Sequence, residues 1–289
     1  MNRALSLFLI IIAFISCTNK PQEEQAEKEA SNSSQKIITA GGTLTEIVYA
    51  LGHGGDIIAT DRTSTYPNSM QELPSIGYRN QIQAEGILSL SPDQVIIEEG
   101  YLNNDVVSQL KNSGKSIHEK HKPQNPEEAV QLITDLGLLL NEQDKAQSLI
   151  VQLQQDLAKL SAMKEGDGRR PSVAFIMSHG PEMVFLAGRE SFAEGMITLA
   201  GGQMVAVDFT GLKPLSPEAL PALNPDYILL FESGFQAAGG KEGLKSIQGI
   251  TETTAWRSNQ LIAMDGHYLS GFGPRLGQAA IELFQKIHP

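Results

Sequence analysis

From Lys36 onward the chain alternates short runs of aliphatic and β-branched residues with longer stretches whose apolar positions recur every three or four residues. The short runs read as strands and the longer stretches as helices, and their alternation predicts an α/β fold of parallel sheets covered by helices. Lys36 to Ala40 reads as the first strand. Gly41-Gly42 then makes a tight turn, and Thr43 to Leu51 reads as a helix with Thr43 as N-cap and Glu46 at the capping-box position. Asp56 to Thr60 and Gln94 to Glu98 read as two further strands. Asn125-Pro126-Glu127-Glu128 marks a helix start, because Asn125 can cap, Pro126 suits the first helical position and Glu128 completes the box. Val130, Ile133, Leu136 and Leu140 follow at helical spacing, and Ala146, Leu149, Ile150, Leu153, Leu157 and Leu160 repeat it. A helix over 144–163 would reach about 30 Å at 1.5 Å per residue. That is enough to cross between two lobes, or to lie along the surface of one. Gly166 to Pro171 breaks the pattern, Ser172 to Met177 starts a new strand, and Leu276 to Ile287 reads as the last helix.

The length beyond Lys36 suits two lobes or one large α/β domain. Two internal echoes favour a duplicated plan. Glu85-Gly-Ile-Leu-Ser-Leu-Ser-Pro92-Asp93-Gln-Val-Ile-Ile recurs as Glu218-Ala-Leu-Pro-Ala-Leu-Asn-Pro225-Asp226-Tyr-Ile-Leu-Leu, each a short helix, a Pro-Asp turn and a buried strand. Gly41-Gly42 is echoed by Gly201-Gly202.

The N-terminus breaks with all of this. Arg3 precedes an apolar run from Ala4 to Ile15, too short to span a bilayer, and the run ends at Phe14-Ile15-Ser16-Cys17. Residues 1–16 read as a signal peptide with a lipoprotein-type cleavage box. Cys17, the sole cysteine, reads as the acylated residue, since each buried methylene of an acyl chain contributes about 0.8 kcal/mol to anchoring. Residues 17–35 are rich in Glu, Gln, Lys, Ser and Asn and read as a flexible tether. A formal net charge of −11 argues against nucleic acid and anionic membrane surfaces as partners.

Candidate chemistry centres on Leu73-Pro-Ser-Ile-Gly77-Tyr78-Arg79-Asn80. A phenolate is a hard oxygen donor for ferric iron, and an adjacent guanidinium favours the phenolate or holds a carboxylate. On the local sequence alone Tyr78 reads as an amphipathic surface or cleft tyrosine, a reading that the rest of the chain reverses, and Tyr66 is its main rival as a ligand. His118-Glu-Lys-His121 lacks the carboxylate or cysteine cluster of a zinc site and reads as a solvated loop. Gly271-Phe-Gly-Pro-Arg275-Leu-Gly277 departs from a dinucleotide fingerprint and reads as the turn into the last helix, with Arg275 able to face a cleft. Met177, Met183, Phe185 and Met196 suit either an apolar wall or the core. The chain has no Gly-x-Ser-x-Gly elbow, P-loop or His-Glu-x-x-His run, which points to binding and away from an enzyme.

Ile38-Thr-Ala-Gly-Gly-Thr-Leu-Thr-Glu46, Asp61-Arg-Thr-Ser-Thr65, Gly77-Tyr78, Ala84-Glu85-Gly86, Met177-Ser-His179-Gly180, Lys213-Pro-Leu-Ser-Pro-Glu218 and Gly271-Phe-Gly-Pro-Arg275 together carry a resemblance across Lys36–Pro289. The chain resembles the periplasmic haem-binding proteins of bacterial ABC importers. That resemblance implies two lobes, 36–143 and 166–289, each a mostly parallel sheet covered by helices, joined by one long interlobe helix over 144–165. It implies haem (hemin) as cargo in the interlobe cleft, with Tyr78 as axial ligand, Arg79 beside it and Lys213 near the propionates. Relatives often carry the arginine two residues after the tyrosine, where Asn80 stands here. His179 matches a histidine that ligates iron or a second haem in some relatives. Glu85 and Glu218 match carboxylates that dock on an ABC permease, which works with its own ATPase subunits. The implied location is the periplasm of a Gram-negative bacterium, held to a membrane through the lipid, as a monomer. A different iron chelate, such as a siderophore, or cobalamin is the alternative cargo.

Overall fold

A computed structural model describes residues 35–180 and 183–289. The signal peptide, Cys17 and all but the last residue of the tether lie outside the described residues. Two sheets organise the rest. The first contains β1 (Ile37–Ala40), β2 (Ile57–Thr60), β3 (Gln94–Glu98) and β4 (Ser116–Lys120) in the order β2-β1-β3-β4, all parallel. The second is built on β5 (Ser172–Ser178), β6 (Val184–Ala187), β7 (Gln203–Met204), β8 (Leu212–Pro214), β9 (Tyr227–Phe231) and β10 (Leu261–Met264). Its order is β10-β9-β5-β6-β8, with β7 pairing β5. Strands β5, β9 and β10 are parallel, while β6 and β8 run antiparallel to their neighbours. β1 and β3 are buried along their whole length, as parallel strands covered on both faces must be.

Side-chain alternation along these strands sorts the core into three parts. Ile38, Val95 and Ile97 face one N-lobe cluster, and Ala174, Ile176, Ile228 and Leu230 face one C-lobe cluster. Their neighbours Ile37, Ile96, Val173, Phe175 and Leu229 point the other way, into a single apolar cluster shared by both lobes. The linking helix, Gln143–Glu165, supplies Ile150, Leu153 and Leu160 to that cluster. It packs on Pro126–Leu139 on the N-lobe side and on the last helix, Leu276–Ile287, on the C-lobe side. The expected helix start at Asn125 is present, with its side chain accepting from the Glu128 amide at 2.8 Å. Among the described residues no helix is long and apolar enough to cross a membrane.

The first helix departs from expectation. It spans Gly42–Val48 with Gly41, not Thr43, at the N-cap, and no side chain caps it. Thr43 and Glu46 are instead spent on contacts to the other lobe. Ser116–Lys120 is a strand, so His118 belongs to β4 and not to a loop. The Gly201-Gly202 echo fails too: Gly41-Gly42 leads from a strand into a helix, whereas Gly201-Gly202 leads from a helix into β7. The longer repeat holds in detail. Each copy ends its short helix near a left-handed residue, Ser91 or Asn224. Each then uses its aspartate to accept the backbone N–H at the head of a neighbouring strand, Asp93 from Lys36 and Asp226 from Ser172, both at 2.9 Å.

Candidate cargo cleft

Open parallel sheets bind ligands outside the carboxyl ends of their strands. Here the carboxyl ends of β1 and β10 come together, because the helix that follows β1 meets the segment His267–Arg275 that follows β10. Thr43 Oγ1 donates to the Gly271 carbonyl at 2.6 Å. Glu46 accepts Arg275 Nε at 2.8 Å and Nη2 at 2.9 Å, and lies 2.7 Å from His267 Nε2. Burial raises the Glu46 pKa, but the hydrogen bonds from Arg275 and His267 outweigh it and hold the carboxyl below its usual range. The outer face of the Arg275 guanidinium lies 3.5 Å from the centroid of the Tyr66 ring. Arg275 therefore ties the lobes together, with the ring of Tyr66, the rival ligand, as its platform; the Tyr66 side chain is still 40% exposed.

Tyr78 lies at the carboxyl end of β2. The preceding segment runs beside that strand, with the Ile76 amide donating to Thr60 at 2.9 Å and the Arg62 amide to Gly77 at 2.9 Å. Gly77 has φ +114°, a conformation that glycine adopts without penalty, and it turns the chain outward. Arg79 is also left-handed, at φ +42°, so Tyr78 stands between two unusual backbone positions. Its side chain is 42% exposed, and among the described residues its hydroxyl has no hydrogen-bond partner. Arg79 places its guanidinium 4.9 Å from the centroid of the Tyr101 ring.

Beneath this rim lies a buried polar network that sequence reasoning missed. Asp61 accepts from the Gly41 amide (2.9 Å), Ser64 Oγ (2.6 Å), the Thr63 amide (2.7 Å) and the Tyr101 hydroxyl. Burial and the Asp61 carboxylate push the Tyr101 phenol well above its ordinary pKa, so it stays protonated. Glu98, at the end of β3, is buried against Gly41, and that burial raises its pKa although Lys122 lies 4.0 Å away. Thr63 and Ser64 are local to Asp61, but Gly41 and Tyr101 come from 20 and 40 residues away, so no single spacing motif announces the network.

In the C-lobe, His179 directly follows β5 and is exposed, its amide donating to the Met183 carbonyl at 3.0 Å. Met183 is exposed beside it, whereas Met196 is wholly buried in the core and cannot line a cleft. Lys213, in the edge strand β8, holds its ammonium 4.0 Å from the centroid of the Phe209 ring. Glu85 is exposed in the first turn of its helix, Ala84–Ser89. Glu218 is exposed at the N-cap of the matching helix, Ala219–Leu223. Among the described residues no group of three or more His, Cys, Asp or Glu converges as a metal site.

Residues 37–268 match the family model described as periplasmic binding protein. Among solved structures, the chain is similar to the periplasmic haem-binding protein RhuT from Roseiflexus sp. RS-1, with 33% identity over 89% of this chain and 98% of that one, at a TM-score of 0.85. It is similar to the haem-binding protein BhuT in complex with two haems, with 30% identity over 88% and 98% of the two chains and a TM-score of 0.83. By sequence, it is 27% identical to an uncharacterised ABC transporter substrate-binding lipoprotein, YvrC, of Bacillus subtilis (strain 168), over 88% of this chain and 80% of that protein. It is 21% identical to a vitamin B12-binding protein of Photorhabdus laumondii over 88% of each.

Proposed function

The chain belongs to the periplasmic binding protein family, and from that premise we propose that it captures haem in the interlobe cleft and delivers it to an ABC permease. The observation that carries this reading is Tyr78: an unpartnered phenol, displayed at the carboxyl end of its sheet by a left-handed residue on either side. Of the tyrosines around the carboxyl ends of β2 and β3, Tyr101 is held protonated, and Tyr66, though 40% exposed, commits its ring face to Arg275, whereas both ring and hydroxyl of Tyr78 are left to a ferric cargo. The RhuT and BhuT likenesses support haem as cargo. His179 contributes from the facing lobe as a second donor, and Arg79 and Lys213 offset the propionates while remaining steadied on aromatic rings.

Glu85 and Glu218, one on each lobe, would pair with basic residues of the permease and set the orientation of docking. Cys17 would carry the lipid, consistent with the lipoprotein in the name of the Bacillus relative, and would hold the protein in the periplasm against a membrane. The test is an absorption titration with hemin. Saturable binding is expected, with a charge-transfer band of high-spin ferric tyrosinate that disappears in Tyr78→Phe. A band unchanged in that variant would remove Tyr78 from the iron.

Cobalamin is the second reading, because relatives named for vitamin B12 span most of the chain. It requires no phenolate donor. Saturable binding of cyanocobalamin, with no spectral response to hemin, would establish it in place of haem.

A further inference from the structure

Apart from the linking helix and the apolar cluster around it, the lobes are joined by a polar seam around Glu46. We propose that Glu46, Arg275 and His267 form a clamp that sets the angle between the lobes, and thereby the time that cargo stays in the cleft. The cargo half of this statement rests on the haem reading; the angle half does not.

The geometry is that of a latch. Glu46 sits in the N-lobe's first helix and is 5% exposed, and both of its partners belong to the C-lobe. The paired bonds from Arg275 fix direction as well as distance, which a lysine ammonium could not do. Arg275 is itself immobilised, with its guanidinium 3.5 Å from the Tyr66 centroid and 5.0 Å from that of Tyr268. A small rotation of the lobes would leave Glu46 desolvated without its counter-charge, so the seam is either made or broken. Close backbone approach completes it. A methyl group on Gly42 would collide with the His267 ring and come within 2.9 Å of the Thr63 carbonyl, and one on Gly273 would lie 3.2 Å from the Thr43 methyl. Between the clamp and the linking helix lies a cavity of about 290 Å³ walled by Tyr49, Tyr66, Leu149, Gln152 and Pro274, which gives the seam room to yield.

The experiment measures lobe separation with nitroxide labels on Ser108→Cys and Ser246→Cys, exposed sites in opposite lobes, in a Cys17→Ser background. The unaltered seam is expected to give one narrow distance distribution. Glu46→Gln should broaden and lengthen it, and Arg275→Lys should do so partly. Transfer of hemin to apomyoglobin should become about tenfold faster in Glu46→Gln. A distance distribution identical to the parent in a folded Glu46→Gln protein overturns the clamp. If that variant does not fold, Gly42→Ala wedges the same seam from its backbone side, and an unchanged distribution there has the same meaning. A parent protein that binds no hemin removes the haem reading, and the distances still decide the clamp.

Discussion

Tyr66, Tyr78 and Tyr101 share a neighbourhood and differ in what surrounds each hydroxyl and ring. Tyr101 donates to Asp61 and shares a hydrogen bond with Thr63, so Tyr101→Phe should leave the hemin spectrum intact yet cost about 1–3 kcal/mol in urea unfolding, the range for stranding a buried polar partner. Glu98 gives the opposite sign. Its carboxyl pKa is raised by burial, so folding favours the protonated form. The stability it contributes is complete below its ordinary value of 4.5 and is lost as pH rises through the raised pKa. Glu98→Gln should therefore raise Tm at pH 7 by about 2–4 °C for each ~1 kcal/mol recovered, and the gain should vanish in melts run below pH 4.5. The turn that displays Tyr78 was legible in the sequence because Gly77 and its neighbours form a local motif. Asp61, Glu98 and Tyr101 were not, because strands far apart in sequence bring them together. Glu46 was misread for a related reason: a glutamate three residues after a threonine satisfies the capping pattern whether or not the helix uses it.

At the scale of elements, local signals succeeded where the backbone itself supplies the reason. Asn125 caps its helix as its sequence predicts, and Asn125→Ala should cost about 1 kcal/mol in chemical denaturation. The buried central strands β1, β3, β5 and β9 were readable from their aliphatic runs. The edge strands β4 and β8 were not. Ser-Ile-His-Glu-Lys and Leu-Lys-Pro carry the polar and charged residues that protect a sheet edge, and such residues mask a strand's signature. The repeated helix-Pro-Asp-strand unit shows why its aspartate recurs. In both lobes that carboxylate satisfies the first amide of the neighbouring strand, a task set by the sheet and independent of cargo.

Across the whole molecule, one apolar cluster is continuous through both lobes and the linking helix, and separating the lobes widely would expose it, so the expected opening is a small rotation. The Glu46 seam adds a dependence on acid. Its carboxyl pKa is depressed, so its contribution is present above the ordinary value of 4.5 and is lost as pH falls through the lower folded value. Thermal melts of the parent should lose stability in that acid range, and melts of Glu46→Gln should fall less steeply there. The packing of the last helix has a different consequence. Each sheet is drawn from one uninterrupted stretch of chain, so the first lobe can fold on the ribosome while the second is still being made. The linking helix then waits for Leu276–Ile287, made only after the whole second sheet, to cover its C-lobe side. A transcript cut short before Leu276 would yield a protein with a greasy seam exposed along its spine, a substrate for proteases and aggregation before it could ever meet its cargo.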